Sequence, residues 1–168
     1  MRTAILVEGE SDRLALEALA HRQGRDLAAE NVEIVAMGGA HAVGREVRRL
    51  HPSVRLLGLC DAQEERYFRA AFAGSGGTYF VCDRDLEDEL IRALGVEAVE
   101  GVLERRHELG LFRSFQQQPA WRGRPPEEQL RRFFGTFSNR KIQIGAALVD
   151  ALDLARVPRP LERLLAAV

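Results

Sequence analysis

Short apolar segments alternate with longer amphipathic segments along the first half of the chain. The apolar segments have the length of buried strands, and the segments between them repeat their apolar residues with helical spacing. Strands that alternate with helices indicate βαβ units and a parallel sheet. We expect Ser11 to cap the first helix, because serine is a preferred N-cap residue. The pattern predicts strands over residues 4–7, 32–37, 54–60 and 78–82, and helices over residues 11–23, 41–50 and 62–73.

The second half of the chain has a different pattern and is predicted to be mainly helical. Residues 111–126 contain three consecutive glutamines and a Pro-Pro pair, so we expect an irregular connection there. No run of about 18 apolar residues occurs, and no transmembrane helix is therefore expected. The candidate helices lie at residues 85–94, 96–108, 127–134, 139–152 and 161–166.

Together these patterns predict an α/β fold for the 168 residues. Residues 1–95 would form an α/β core, in which helices flank a mostly parallel sheet of four strands. Residues 96–168 would be a helical extension of the same domain, because the length suits one domain. The last helix is expected either to close the fold or to contact a second copy in a homodimer.

Two further features bear on the cellular environment. The chain enters its first strand without a basic region or a cleavage site, which favours a cytoplasmic protein. Its two cysteines, Cys60 and Cys82, have no cysteine or histidine neighbours at the spacing of metal ligands. We expect both to be buried thiols rather than a disulfide or part of a zinc site.

Acidic residues follow three of the predicted strands. Glu8 comes directly after the first strand, and Asp12 lies on the first turn of the helix that follows. Asp61 comes after the third strand, and Asp85 and Glu87 come after the fourth. The carboxyl ends of parallel strands meet at one edge, where ligands bind. Because Mg²⁺ and Mn²⁺ take oxygen ligands, the pattern predicts a site for one or two such ions, although acids also cap helices.

The charges are unevenly distributed, although the net charge of −1 gives no overall indication of nucleic-acid binding. Residues 83–104 carry eight acids and two arginines, whereas residues 105–141 carry nine bases and three acids. This order suits a metal site beside a phosphate-binding surface, and solvated helix faces are the alternative. Arginines that alternate with aromatic residues could contact phosphates while the rings stack on bases. The arginines of this stretch are Arg113, Arg122, Arg124, Arg131, Arg132 and Arg140, with Phe112, Phe115, Trp121 and Phe137 between them. All of these arginines except Arg132 are candidate DNA contacts.

Lysine is almost absent from the chain. Of the 24 lysines and arginines, only Lys141 is a lysine. Because the chain uses arginine for nearly every other positive charge, this lysine indicates a position that needs a compact ammonium group. Stabilising the charge that develops on a phosphoryl group is such a task. The alternative is chance survival of a lysine at a helix start.

In these residues the chain resembles the Toprim domain. Val-Glu-Gly-Glu-Ser-Asp at residues 7–12 is similar to the first Toprim motif, and Leu-Gly-Leu-Cys-Asp-Ala-Gln at residues 57–63 is similar to the second. Asp-Arg-Asp-Leu-Glu at residues 83–87 and the single Lys141 resemble the OLD (overcoming-lysogenization-defect) family nucleases. Those enzymes use additional acids for a second metal, and a downstream lysine. The resemblance extends over residues 1 to about 152.

The resemblance implies a Toprim-like (Rossmann-like) fold and a Mg²⁺- or Mn²⁺-dependent endonuclease or nickase that acts on DNA. By this resemblance Glu8 would be a metal ligand or general base, and Asp12 and Asp61 would be metal ligands. Asp85 and Glu87 would serve a second metal, and Lys141 would stabilise the transition state.

The chain departs from the family pattern in two ways. Gln63 replaces the second aspartate of the Asp-x-Asp motif, which removes one charge from the site, and Glu64 or Glu65 could substitute. The sequence also contains no GxxxxGK[ST] phosphate loop, although OLD nucleases usually carry an ATPase domain. We therefore expect a separate ATPase partner or a domain that works alone.

Two other functions stay open at this stage. A non-catalytic Toprim module could bind nucleic acid or a partner ATPase, because the loss of charge at Gln63 weakens the chemistry. A receiver-like phosphoacceptor domain also combines acids at strand ends with a late lysine. It fits poorly, because receivers place their paired acids side by side and their lysine at the end of a strand.

Overall fold

Four parallel strands form the sheet of the computed structural model, which describes residues 1–136 and 138–168 and, for residues 138–141, the backbone alone. The strands are β1 (Thr3–Val7), β2 (Val32–Ala36), β3 (Arg55–Asp61) and β4 (Thr78–Cys82), in the order β2-β1-β3-β4. Each pair of neighbours is parallel. The predicted α/β fold and its parallel sheet are therefore confirmed, and each predicted strand end lies within one residue of the observed one.

Helices cover both faces of the sheet. All five residues of the central strand β1 are buried. Successive side chains of a strand point to opposite faces, so Ala4 and Leu6 join one hydrophobic cluster and Ile5 and Val7 join the other. In chain order the helices of the described residues are α1 (Glu10–Arg22), α2 (Val43–Leu50), α3 (Glu65–Phe72), α4 (Leu86–Leu94), α5 (Val96–Arg105), α6 (Leu109–Gln116), α7 (Pro126–Phe134), α8 (Ser138–Ala151) and α9 (Arg159–Ala166).

The two faces carry different numbers of helices. Helices α2 and α3 pack on the face of Ala4 and Leu6, through residues such as Val47 and Phe68. Helix α1 and the helices from α4 onward supply the cluster on the opposite face. The second half of the chain therefore belongs to the same hydrophobic core as β1 and β3.

Helix α8 packs closely against α1. A Cβ atom added at Gly145 would lie 3.3 Å from the Cβ of Ala15 and 3.5 Å from the carbonyl oxygen of Ser11. The guanidinium of Arg22 donates a hydrogen bond of 2.7 Å to the carbonyl of Val149, near the end of α8. None of the described helices is long and apolar enough to cross a membrane.

The last helix closes the fold. Leu161, Leu164 and Leu165 of α9 are buried in the cluster that contains α1 and α4. Arg25, just after α1, donates a hydrogen bond of 2.6 Å to the carbonyl of Leu165. The apolar side of α9 is thus used within the chain.

Two local predictions are wrong. The N-cap of α1 is Gly9 rather than Ser11, because the Asp12 carboxylate accepts the Gly9 N–H at 2.8 Å and closes the first turn. The first part of the irregular connection predicted for residues 111–126 is helical, because α6 continues to Gln116, and only the remainder up to α7 is irregular. Phe112 and Phe115 share one side of α6, and their burial stabilises a helix that the glutamines after it obscured.

Both cysteines are free, buried thiols, as predicted. Cys60 lies on β3, and its thiol approaches the carbonyl of Phe80 on β4 at 3.7 Å. Burial raises the pKa of Cys60 to about 12 and also raises the pKa of Cys82. Both side chains therefore stay protonated and act as small apolar groups.

Gly58 on β3 allows α3 to approach the sheet. A Cβ atom there would lie 2.9 Å from the Phe68 ring and 3.1 Å from the Phe72 ring. We predict that Gly58→Ala lowers the free energy of unfolding by about 1–3 kcal/mol, because the overpacked rings must move. Urea unfolding would measure the change. In the matched control Gly101→Ala, within α5, the new methyl meets only a flexible arginine at 3.6 Å and should stabilise by about 0.5–1 kcal/mol. Equal stability of Gly58→Ala and the unsubstituted chain would contradict the prediction.

Candidate active site

The carboxyl ends of the strands gather the predicted acids at one edge of the sheet. Leu6 of β1 pairs with Gly58 of β3, and Asp61 at the end of β3 pairs with Cys82 at the end of β4. Glu8 therefore leaves β1 at the same edge at which Asp61 leaves β3. The segment that begins after Cys82 also starts there, and it carries Asp85 and Glu87.

Asp61 experiences the charge of the other four predicted ligands. The pKa of its carboxyl is raised to about 8, first by burial and then by the carboxylates of Asp12, Glu8, Asp85 and Glu87, in that order of effect. The structure therefore brings the five acids together. A cluster of like charges at a partly buried edge is unfavourable without positive charge nearby.

The loop between β1 and α1 is held in place on two sides. Asp12 accepts the Gly9 N–H, as described above, and the carbonyl of Glu8 accepts the N–H of Gly39 at 3.0 Å. Gly38 and Gly39 have φ angles of +74° and +123°, which side chains rarely adopt. These glycines make the turn out of β2, so their backbone conformation positions the backbone of Glu8.

Asp85 has two partners in the structure. One carboxylate oxygen caps α4 by accepting the Asp88 N–H at 2.8 Å, and the other forms an ion pair with Arg131 at 2.6 Å. This ion pair raises the pKa of Arg131. A predicted metal ligand and a predicted DNA contact thus bind each other. Glu87, on the first turn of α4, is 5% exposed.

The acids fit a divalent metal in the type of their donor atoms. Carboxylate oxygens are the ligands that Mg²⁺ and Mn²⁺ prefer, and a cation would relieve the repulsion that raises the pKa of Asp61. Among the residues whose side chains are described, however, no three histidine, cysteine or acidic side chains converge closely enough to coordinate one ion. Two N–H groups of Arg131 engage Oδ2 of Asp85, whereas Oδ1 accepts, among the described residues, only the Asp88 N–H and keeps a lone pair that a metal could use.

The position of the missing aspartate has an acidic neighbour. Gln63 is exposed and has no charge, and Glu65 is paired with Arg69 at 2.8 Å. Glu64 has a buried carboxylate oxygen, Oε2, without a hydrogen-bond partner among the described residues. Of the two acids that could replace the lost charge, Glu64 is therefore the better candidate.

A cleft of about 530 Å³ opens beside Asp85 and Glu87. We call it the arginine cleft, because the described residues that line it include four arginines and three acids. It runs between the acidic edge and helix α7, and the Asp85–Arg131 ion pair belongs to its wall. The lining residues are Gln63, Arg84, Asp85, Glu87, Trp121, Arg124, Glu128, Arg131, Arg132, Phe134 and Gly135.

The predicted DNA contacts divide between the cleft and other places. Arg124 and Arg131 line the cleft, whereas Arg113 forms two hydrogen bonds of 2.7 and 2.8 Å with Glu100. Arg122 is exposed and donates to the carbonyl of Gln117 at 3.0 Å. Arg140 lies outside the residues whose side chains are described.

The prediction that Phe112 and Phe115 stack on bases is wrong. Both rings are in the core, where they pack against Phe133 at centroid distances of 5.2 and 5.6 Å. Trp121 is half-buried and lines the cleft, and Phe137 lies outside the described residues.

One cleft arginine, Arg84, was neither among the predicted contacts nor part of the predicted basic stretch. Arg84 stands between two aspartates, so its charge is hidden in the acidic block of the sequence. Arg132, which belongs to the predicted basic stretch, follows Arg131 on α7 and also lines the cleft.

The side chain of Lys141 lies outside the described residues, so its predicted role stays a prediction. The helix that contains it, α8, passes the start of α1, because Gly145 lies against Ser11 and Ala15. Asp12 is on that first turn of α1.

Comparison with known proteins agrees with this architecture. Residues 1–52 match the family model described as "Overcoming lysogenization defect protein-like, TOPRIM domain". The whole chain resembles the C-terminal region of the Burkholderia pseudomallei OLD protein, with a TM-score of 0.68 and 18% identity, over 99% of this chain and 96% of that one. It also resembles the C-terminal region of the Xanthomonas campestris pv. campestris OLD protein, with a TM-score of 0.68 and 21% identity, over 98% and 92%. The chain has an OLD-like Toprim fold.

The family match and the structural matches cover different sets of the predicted site residues. Glu8 and Asp12 lie inside the OLD-like Toprim match over residues 1–52, whereas Asp61, Asp85 and Glu87 lie beyond it. The likeness to the OLD structures covers all five, but at 18% and 21% identity it establishes the fold alone. No curated protein matches the sequence. The resemblance to an OLD-like Toprim domain is confirmed, with the first motif inside the match and the second beyond it, and the role of each acid stays a prediction.

We predict that Asp61 makes stability depend on pH. Between its ordinary pKa of 3.8 and its folded pKa of about 8, the folded chain keeps a proton that the unfolded chain has lost. The unfolded state then binds fewer protons, so stability falls as the pH rises through this range. Relative to Asp61→Asn, the unsubstituted chain should lose about 1–3 kcal/mol of unfolding free energy between pH 5 and pH 8.

Urea unfolding in EDTA at several pH values would measure this difference. Asp150→Asn, at an exposed position on α8, serves as the control and should follow the unsubstituted chain. Parallel pH profiles for Asp61→Asn and the unsubstituted chain would show that Asp61 does not hold a proton in the folded state.

Proposed function

We propose that this chain is a Mg²⁺- or Mn²⁺-dependent endonuclease or nickase that hydrolyses phosphodiester bonds of DNA. The observation that carries the proposal is the meeting of five acids at one edge of the sheet with a cleft lined by arginines. The Asp85–Arg131 ion pair of 2.6 Å lies where the two surfaces join. Acids that can hold cations beside guanidinium groups that can hold phosphates are what hydrolysis of a phosphodiester requires.

The acids would hold one or two ions. Glu8, Asp12 and Asp61 are proposed as ligands of the first, and Asp85 and Glu87 as ligands of the second, with a side-chain rearrangement on binding, because no three described acids converge on one point in the structure. A bound divalent ion supplies Lewis-acid stabilisation of the phosphate and lowers the pKa of water. Glu8 is also proposed as the general base, since it leaves the central strand at the edge shared with Asp61 and can accept a proton from the attacking water.

The arginines would orient the substrate. Arg132 makes no ion pair with a described residue, and Arg84 is 3.9 Å from Asp88 with a side chain that is 54% exposed. Both guanidinium groups can therefore turn toward phosphate oxygens at small cost. Arg131, now bound to Asp85, can exchange that carboxylate for a phosphate. Lys141 is proposed to stabilise the negative charge of the transition state.

The family resemblance extends the proposal to a partner. These 168 residues contain no GxxxxGK[ST] loop of their own, and we propose that an ATPase acts together with them.

A second candidate function is a non-catalytic module that binds nucleic acid or an ATPase. It is favoured by the engagement of both Asp85 oxygens and by the neutral Gln63 at the acidic edge. A receiver-like function is less favoured, because residue 141 lies within helix α8 rather than at the end of a strand.

We predict that the chain nicks supercoiled plasmid in Mg²⁺ or Mn²⁺ and not in EDTA. Glu8→Ala and Lys141→Ala should each lower the nicking rate by about 100-fold or more, because each removes a group that acts in the transition state. Glu104→Gln, at an exposed acid on α5, is the matched control and should retain the full rate. Gel densitometry over time would give the rates.

Two outcomes would overturn the assignment as a nuclease. Metal-dependent nicking that survives both substitutions would identify a contaminating nuclease. DNA binding without nicking in any metal would support the non-catalytic module.

We predict that substituting an arginine of the cleft weakens DNA binding, whereas substituting an arginine outside the cleft does not. Arg132→Gln should weaken DNA binding and reduce the slope of log K against log salt by about 1, because one phosphate contact is lost. Arg113→Gln should leave the slope unchanged, since Glu100 already neutralises this guanidinium. Fluorescence anisotropy of labelled DNA in EDTA at several salt concentrations would test both. An equal loss of slope in both variants would contradict the assignment of the cleft.

A further inference from the structure

The arginine cleft contains an aromatic ring that its phosphate-binding role does not require. Trp121 lies between α6 and α7 and is half-buried in the cleft wall. Its ring stacks on buried Phe115, with 5.5 Å between the ring centroids and 25° between the planes. The guanidinium of Arg124, which is exposed, lies over the Trp121 ring at 5.5 Å. The ring is thus supported from the core and covered by a charged group that solvent can reach.

The backbone at Trp121 is fixed by a buried amide. Gln129 of α7 is 4% exposed, and its Nε2 donates to the carbonyl of Trp121 at 2.7 Å. Its Oε1 accepts a hydrogen bond of 2.8 Å from Gln116 at the end of α6. Burying an amide is unfavourable unless it is hydrogen-bonded, and these two bonds tie both helices to the Trp121 segment. The ring is therefore positioned before any ligand arrives.

We propose that Trp121 is a stacking platform for one unpaired nucleobase, so that the preferred ligand of the cleft is single-stranded nucleic acid. The inference rests on the proposed function and deepens it by naming the substrate class. A base would enter between the indole ring and the Arg124 guanidinium, both of which stack on flat aromatic rings. Its flanking phosphates would contact Arg84 and Arg132, which line the same cleft.

The dimensions of the cleft favour a single strand over a duplex. A volume of about 530 Å³ is typical of sites for small molecules and holds a few nucleotides at most. Bases within a duplex present only their edges, because their faces are stacked on each other. A base can contact the face of Trp121 only after it leaves the stack, and this is least costly in a strand that is already unpaired.

Trp121 reports directly on this contact, because it is the single tryptophan of the chain. The complete chain in EDTA would be titrated with oligo(dT), with a duplex of the same length, and with an abasic oligonucleotide of equal charge. We expect oligo(dT) to quench the tryptophan emission to saturation and to bind at least about tenfold more tightly than the duplex. The abasic strand should bind more weakly and leave the emission nearly unchanged.

Variants test the stacking contact independently of fluorescence. Trp121→Leu should weaken binding of labelled oligo(dT), measured by anisotropy, by about 5- to 100-fold, the effect of losing one stacked base. Arg124→Ala, at an exposed position, should weaken it several-fold without altering the core. Binding of the abasic strand should change much less in both variants. Arg48→Ala, an exposed arginine on α2, is the control for general loss of charge.

Three results would overturn the proposal. They are quenching by the abasic strand equal to that by oligo(dT), equal affinity for the duplex and oligo(dT), and an affinity for oligo(dT) that is unchanged both in Arg124→Ala and in a folded Trp121→Leu. Its failure is distinguishable from failure of the nuclease assignment. Metal-dependent nicking without any preference for single strands would preserve the nuclease and reject the platform. Quenching by oligo(dT) without metal-dependent nicking would preserve the platform and reject the nuclease.

Discussion

Parallel pairing of β1 with β2 and β3 is the constraint on which the rest of the structure depends. A central parallel strand must be covered on both faces, and each crossover returns over one face before the next strand begins. Helices α2 and α3 cover one face, and α1 with the helices after β4 covers the other. The same pairing aligns the strands in one direction, so that their carboxyl ends meet at one edge. The core and the candidate active site are therefore two results of a single arrangement.

The acidic edge carries an electrostatic cost to the stability of the fold. Like charges at a partly buried position raise the pKa of Asp61, although Asp12 and Asp85 also cap the helices α1 and α4. The structure relieves part of this repulsion with an arginine from a distant part of the chain, Arg131, which binds Asp85. That guanidinium also faces the cleft. One ion pair thus neutralises an acid and holds Arg131, a proposed phosphate contact, beside the proposed metal site.

Local patterns predicted the strands well, because a buried parallel strand must be a short apolar run and the chain contains four of them. The acids at the strand ends were predictable for the same reason: a residue that directly follows such a run lies at the sheet edge. Prediction failed where the signal was weak or mixed. Helix α6 was missed because the glutamines and prolines after it resemble a loop, while Phe112 and Phe115 stabilise it through contacts with α7. Arg84 was missed because two aspartates surround it in the sequence.

The sequence by itself determined the succession of strands and helices in the first half of the chain, the acids at the strand ends and the Toprim-like motif around Glu8. These depend on residues adjacent in the chain, whose spacing can be read directly. Only the tertiary structure decided which arginines face the acids, that Arg113 is bound to Glu100, and that Trp121 rather than Phe112 or Phe115 lines the cleft. These outcomes depend on how α6 and α7 pack against the sheet layer. Such packing brings together residues that are far apart in the chain, and no local pattern records it.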